Sequence, residues 1–200
     1  VRQSGFTGGG INAITKSGTN TFHGSGYWYY NNENFYGKTP GKHVINRTKL
    51  GDQSSGTYGL TLGGPIIKNK LFFFANYERV KETYPSSNNI GEEGSKLSTS
   101  EVEQVIDKIT ELTGYCIQDI DTRSDKILAR IDWNINQKNK FTLRYSWLDA
   151  LRMVFSNGPK VANLNHYGYY MNNTTHSLVA ELNTQFNAAW SNEVRFGWTS

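Results

Sequence analysis

Apolar and polar residues alternate along several stretches of this chain, and the alternation predicts β-strands. Residues 57–80 hold two such stretches on either side of the polar residues 68–70, which predicts a β-hairpin. Successive side chains of a strand point to opposite faces, so each strand of this hairpin has one mainly apolar face. The other predicted elements are a strand at 21–30, a hairpin at 127–147 with its turn at 137–140, a strand at 178–186, a turn near 191–192 and a last strand at 194–198.

The hairpin at residues 127–147 separates its two faces most clearly. Its apolar face consists of Ile127, Ala129, Ile131, Trp133, Ile135, Phe141, Leu143, Tyr145 and Trp147. Charged residues alternate with these apolar residues in the hairpin. Charged and apolar residues alternate again in the predicted strands at 178–186 and 194–198. The charged set is Arg130, Asp132, Arg144, Glu181, Glu193 and Arg195.

A helix is predicted at residues 100–113, inside the long connection 81–124. Its apolar residues recur at helical spacing, namely Val102, Val105, Ile106, Ile109 and Leu112. Ser100 and Glu103 have the spacing of a capping box, and Gly114 follows as the predicted end of the helix.

Short and long connections alternate along the chain. Turns within hairpins are short, whereas the connections at residues 31–56, 81–124 and 148–175 are long. Short periplasmic turns and long extracellular loops are typical of outer-membrane β-barrels. A mean hydropathy of -0.59 together with 14% aromatic residues fits strands that are apolar on one face only. We therefore predict an all-β fold, a fragment of an antiparallel transmembrane β-barrel with one helix in a long loop.

The barrel prediction assigns a side to each face of the sheet. In a transmembrane barrel, apolar side chains meet lipid, whereas charged side chains line the lumen, where they are hydrated or paired. The apolar set defined above is therefore predicted to face lipid. The charged set is predicted to face the lumen.

Composition and motifs favour neither nucleic-acid binding nor catalysis. The formal net charge of +4 arises from 21 Lys and Arg against 17 Asp and Glu, and no block of basic residues concentrates it. Gly8, Gly10 and Ala13 match a dinucleotide fingerprint but lack the strand and helix that must flank it. His23 and the single Cys116 have no partners at metal-ligand spacing. We predict no enzyme activity, no metal site and no cofactor.

Two stretches also carry a family resemblance. YGLTLGGPIIKNKLFFFANYE, residues 58–78, and GGGINAITKSGTNTFHGSGYWYY, residues 8–30, resemble TonB-dependent outer-membrane receptors, particularly the large receptors of Bacteroidetes. The resemblance implies that residues 1–20 end a plug domain and that residues 21–200 begin the barrel. It further implies that the chain is a fragment of a longer protein in the bacterial outer membrane.

The same resemblance implies a function and partners. The expected function is active import of a large or scarce nutrient, which could be a peptide, a glycan or a chelate. The expected partners are outer-membrane lipid, a TonB complex engaging a region absent from this chain, and a possible surface lipoprotein. Two other interpretations stay open: a soluble β-sandwich that binds glycans, and a surface adhesin barrel without a plug.

Overall fold

The computed structural model describes residues 15–37, 52–85, 98–154, 161 and 163–200. Its strands are β1 (His23–Asn32), β2 (Ser54–Ile67), β3 (Leu71–Tyr84), β4 (Ile120–Asn134), β5 (Asn139–Val154), β6 (Tyr169–Gln185) and β7 (Ser191–Thr199). The helix α1 spans Thr99–Thr113. Short 3-10 turns lie at Glu33–Phe35 and Asn165–Tyr167. Most of the expected plug segment, residues 1–20, lies outside the described residues.

The described strands form one seven-stranded sheet in the order β1-β2-β3-β4-β5-β6-β7. Every neighbouring pair is antiparallel, so the chain runs up and down as a meander. This is the topology expected for consecutive strands of an outer-membrane barrel. The predicted all-β antiparallel fold is confirmed.

The strands extend further than predicted at the end where the long connections lie. β5 continues to Val154 and β6 already begins at Tyr169, so half of the loop predicted at 148–175 is strand. β3 and β4 likewise extend into the connection predicted at 81–124. In these extensions both faces carry polar residues, and alternation of apolar and polar side chains disappears although the backbone pairing continues.

Two turns also differ from their predicted positions. The turn at residues 68–70 is confirmed, but β5 already begins at Asn139 and the turn before it occupies residues 135–138. The last turn occupies residues 186–190, so Ser191 and Asn192 belong to β7. The Gly63-Gly64-Pro65 sequence lies within β2, which accommodates proline at a register shift between Pro65 and Ile67.

Helix α1 begins earlier than predicted. Its N-cap is Ser98, and the capping box joins Ser98 to Glu101 instead of Ser100 to Glu103. Both pairs have the same spacing, so the sequence pattern could not distinguish them. Gly114 ends the helix with a φ of 75°, a left-handed conformation that favours glycine. Val102 is the buried member of the apolar stripe, whereas Leu112 is exposed.

Two further observations concern the described residues as a whole. No helix among them has the length and apolar character needed to cross a membrane. Within the same ranges, no group of three or more His, Cys, Asp or Glu side chains is arranged to hold a metal ion.

Candidate functional site

The apolar face of the sheet is continuous across β4 and β5. The register places Ile127 opposite Trp147, Ala129 opposite Tyr145, Ile131 opposite Leu143, and Trp133 opposite Phe141. Neighbouring strands extend this face with Leu71, Phe73, Ala75, Leu178, Ala180, Leu182, Val194, Phe196 and Trp198. Of the residues predicted for this face, Ile135 alone lies beyond a strand end, in the turn after β4.

The predicted charged residues share the opposite face and form two groups. In the hairpin, Arg130 lies opposite Arg144, and Asp132 lies two residues farther along the same face. In β6 and β7, the Arg195 guanidinium lies 2.7 Å from a Glu181 carboxylate oxygen and 2.8 Å from one of Glu193. The second group is half exposed, so its ion pairs contribute little to stability.

Burial on these two faces is the reverse of that in a water-soluble protein. Asp132 is only 2% exposed, whereas its apolar neighbours Ile131 and Trp133 are 39% and 41% exposed. Water would favour burial of the apolar face and exposure of the carboxylate. A medium that is itself apolar removes the cost of exposing Ile131 and Trp133.

Asp132 is held in a compact hydrogen-bond network on the polar face. Nε and Nη2 of Arg130 each donate to one carboxylate oxygen of Asp132 at 2.8 Å. The Thr142 hydroxyl on β5 donates to the same carboxylate at 2.9 Å. Bidentate pairing and this third donor compensate the buried charge. The sequence singled out Arg130 and Asp132 as charged, but nothing in it indicated Thr142.

The residues immediately before β1 lie on this polar face. Arg130 Nη1 donates to both the carbonyl oxygen and the hydroxyl oxygen of Thr15, at 2.8 Å in each case. Gly18 lies so close to β2 and β3 that a Cβ there would collide with the Phe73 carbonyl oxygen and come within 2.8 Å of the Gly64 carbonyl oxygen. Residues 15–20, which we name the anchor segment, therefore contact the sheet directly.

A second contact holds the other end of the anchor segment. The Asn20 side-chain amide donates to the Asn69 side-chain oxygen at 2.6 Å, and the Asn69 backbone N–H donates back to Asn20 at 2.7 Å. Asn69 lies in the turn between β2 and β3 with a φ of 63°, which asparagine tolerates better than most residues. Sequence reasoning missed this pair because the two asparagines stand 49 positions apart.

Another polar cluster lies farther from the short turns, on the same face as Arg130. The Tyr27 hydroxyl donates to Glu78 at 2.5 Å, and Lys126 pairs with the other Glu78 oxygen at 2.8 Å. These three side chains come from β1, β3 and β4. The cluster therefore links β1 to β3, although β2 lies between these strands. The Tyr27 ring passes over β2 at Gly59, where the absence of a side chain leaves room for it.

The apolar face ends at a charged boundary on the side of the long connections. One register level beyond Tyr77 and Ile127, Arg79 lies opposite Asp125, with 3.7 Å between their charged groups. Trp28 and Tyr58 occupy the same level on β1 and β2. Aromatic and charged residues together at one level are typical of the membrane–water interface.

Beyond this boundary the connections contact one another. The rings of Tyr115, just after α1, and His166, just before β6, have centroids 4.4 Å apart. Nearby, the Asn165 backbone N–H donates to the Cys116 carbonyl at 2.8 Å. Cys116 thus lies in a contact between the β3–β4 and β5–β6 connections.

Comparison with known proteins yields two matches. The model of the family described as outer membrane beta barrel domain matches residues 14–92 and 102–200. In addition, 76 residues of the chain are 42% identical to the TonB-dependent transporter Oar of Myxococcus xanthus. That alignment covers 36% of this chain and 7% of the relative, so the match spans a small part of the relative's length.

Proposed function

The chain belongs to the family of outer membrane β-barrel domains, and on that basis we propose that it is part of a TonB-dependent transporter that imports a large or scarce nutrient through a plugged barrel. The protein lies in the bacterial outer membrane. The interpretation as a soluble β-sandwich is wrong, because the family is a membrane one and the described strands form a single sheet.

The main support for the proposal is the burial pattern of β4, in which a charged side chain is buried and its apolar neighbours are exposed. Exposed Ile131 and Trp133 on one face, with buried Asp132 on the other, support a sheet whose apolar face meets lipid and whose polar face lines a lumen. Arg130, Asp132, Arg144, Glu181, Glu193 and Arg195 then line the lumen. The apolar set of the hairpin, apart from Ile135 in the turn after β4, then faces the hydrocarbon.

The anchor segment supports the presence of a plug. It lies on the polar face, where Arg130 binds Thr15, and a chain segment on the lumenal face is inside the barrel. We assign residues 1–20 to the end of the plug domain and residues 21–200 to the barrel. An adhesin barrel without a plug gives no reason for a segment bonded to the inside of its wall.

The similarity to a TonB-dependent transporter supports energised import over passive diffusion. The proposed partners are therefore outer-membrane lipid and a TonB complex, which would act on the plug domain. A surface lipoprotein that delivers substrate is a further proposed partner, which co-purification with the full-length protein would test. The substrate is proposed to be a peptide, a glycan or a chelate.

Uptake by cells tests the function. A strain lacking the full-length gene is supplied with labelled peptides, oligosaccharides and iron chelates, with and without a protonophore. Loss of uptake of one class, restored by the parent gene and abolished by the protonophore, is expected. Uptake that persists with the protonophore would indicate a passive pore, and unchanged uptake with lost surface adhesion would indicate the adhesin.

A further inference from the structure

We infer that the anchor segment, residues 15–20, stays fixed to the barrel wall while substrate passes, and that Arg130 is the positioning residue that holds it there. This inference rests on the proposed function, since it concerns how a plug behaves during import. On this inference, residues 15–20 do not move relative to the barrel strands during import, although they precede the first strand.

Arg130 cannot easily release Thr15, because its guanidinium is already oriented by Asp132. The guanidinium is a rigid planar fork, so the two bonds from Nε and Nη2 to Asp132 determine where Nη1 points. Nη1 points at the Thr15 carbonyl and hydroxyl oxygens. Turning the guanidinium away would leave the buried Asp132 carboxylate without its charged partner, which is strongly unfavourable.

The contact at Gly18 fixes the middle of the segment by close backbone approach. The glycine faces the Gly64 and Phe73 carbonyl oxygens, where no side chain fits. Gly63, on the same strand as Gly64, has the Gly18 Cα as a near neighbour. Two glycine-bearing backbones therefore pack directly against each other, and small displacements of the segment meet steric resistance.

The contact at Asn20 fixes the far end of the segment to a turn that is itself braced. Asn20 and Asn69 exchange two hydrogen bonds. The neighbouring strand β4 holds this turn as well, since the Asn134 backbone N–H donates to the Lys70 carbonyl at 2.8 Å and its side chain donates to the Asn69 carbonyl at 3.2 Å. The anchor segment thus bridges from β4, across β2 and β3, to the turn between them.

A pulling force on the residues that precede Thr15 would therefore be transmitted through Arg130 to β4 and to the strands paired with it. Attachment at three places, each to a paired strand or its turn, distributes such a load over the sheet. We expect the anchor segment to stay in contact with the sheet when the TonB complex pulls on the plug.

Hydrogen exchange in the full-length protein tests the role of Arg130 directly. In Arg130→Ala, the peptide covering residues 15–22 should exchange about tenfold faster or more, because the segment detaches from the sheet more often once the charge-assisted hydrogen bonds that hold Thr15 are lost. Arg144→Ala is the matched control, since Arg144 lies opposite Arg130 on the same face and has no hydrogen bond to residues 15–20 among those described. Unchanged exchange in Arg130→Ala, or an equal increase in both variants, would overturn the inference.

A reversible covalent lock tests whether the segment stays fixed during import. Asn20→Cys with Asn69→Cys, in a Cys116→Ser background, is oxidised in cells. Uptake of the substrate class that the uptake experiment identifies is then measured before and after reduction. Full uptake in the oxidised form is expected. Uptake that is lost on oxidation and regained on reduction would show that residues 15–20 must move.

These measurements separate the inference from the proposed function. Hydrogen exchange requires only the assembled barrel, so it decides the role of Arg130 even if the parent imports none of the tested compounds. If Arg130→Ala does not assemble, Asn20→Ala replaces it, with the same peptide expected to exchange faster and unchanged exchange counting against the anchor.

Discussion

Arg130 and Arg144 lie directly opposite each other on β4 and β5, yet only Arg130 has an ion-pair partner among the described residues. Like charges in directly opposed positions destabilise a sheet. Asp132 compensates the charge of Arg130, and both partners are largely buried, with side-chain exposures of 16% and 4%. Two residues of the same type at one register position therefore have different roles.

The first prediction follows from this difference. Arg130→Ala should destabilise the full-length barrel by about 3 kcal/mol or more, because it leaves the Asp132 carboxylate buried and unpaired. Arg144→Ala should change stability by less than about 1 kcal/mol. The temperature at which the barrel loses its heat-modifiable mobility on a gel measures both effects. Equal losses in the two variants would contradict the assigned network.

The second prediction tests which face of β4 and β5 meets lipid. Leu143→Arg should cost about 2 to 4 kcal/mol if residue 143 lies near the membrane midplane, and should impair assembly into the outer membrane. Ser146→Arg, on the same strand but on the polar face, is the control and should assemble normally. The reverse result, with Leu143→Arg tolerated and Ser146→Arg defective, would exchange the two faces.

The third prediction concerns orientation across the membrane. α1 lies in a long connection, so trypsin added to intact cells should cut the full-length protein at Lys108, whose side chain is 64% exposed. Lys138, in the short turn between β4 and β5, should be cut only after the outer membrane is permeabilised. Cleavage at Lys138 in intact cells, with Lys108 protected, would reverse the orientation.

The fourth prediction uses the space around two glycines. A Cβ at Gly59 would overlap the ring of Tyr27, whose hydroxyl donates to Glu78, whereas a Cβ at Gly56 has open space around it. Gly59→Ala should therefore destabilise the barrel by about 1 to 3 kcal/mol through forced displacement of Tyr27. Gly56→Ala, on the same strand and likewise paired on both sides, should be close to neutral. Thermal unfolding of the two variants provides the comparison, and equal stability would show that Tyr27 moves freely.

The fifth prediction distinguishes the two serines near the start of α1. Ser98→Ala should destabilise the helix by about 1 kcal/mol, and Ser100→Ala by much less, because Ser98 is the N-cap. Protection of the helix amides from hydrogen exchange, corrected for intrinsic rates, is the measurement. A larger effect of Ser100→Ala would restore the capping box predicted from the sequence.

The same cap gives α1 a defined pH dependence. Hydrogen bonds from the Ser98 side chain, and then from its backbone N–H, lower the pKa of the Glu101 carboxyl. A carboxyl whose pKa is lower in the folded state adds stability above its unfolded pKa, and that stability is lost as the pH falls through the folded value. Protection of α1 should therefore weaken below about pH 4. In Glu101→Gln this pH effect should be absent, and its persistence would assign it to another group.

Local alternation was sufficient to determine the hairpins and the faces of their strands. Ile131 and Asp132 are assigned to opposite faces by adjacency alone, because side chains of a strand alternate with a period of two. The same local rule places Arg130 and Asp132 side by side. Local spacing of a different period, three to four residues, predicted the helix in the β3–β4 connection, since the stripe from Val102 to Leu112 lies within one segment.

Tertiary structure decided where the strands end and what the polar face holds. The ends of β5 and β6 carry polar residues on both faces, so only pairing with a neighbouring strand makes them strands. Arg130 and Thr15 stand 115 positions apart, and Asn20 and Asn69 stand 49 apart. No periodicity connects such residues. Their contacts arise because backbone hydrogen bonding sets the register of strands β1 to β4 and thereby brings distant side chains to one surface. This constraint acts between segments, so the pattern of residues within any single segment cannot reveal it.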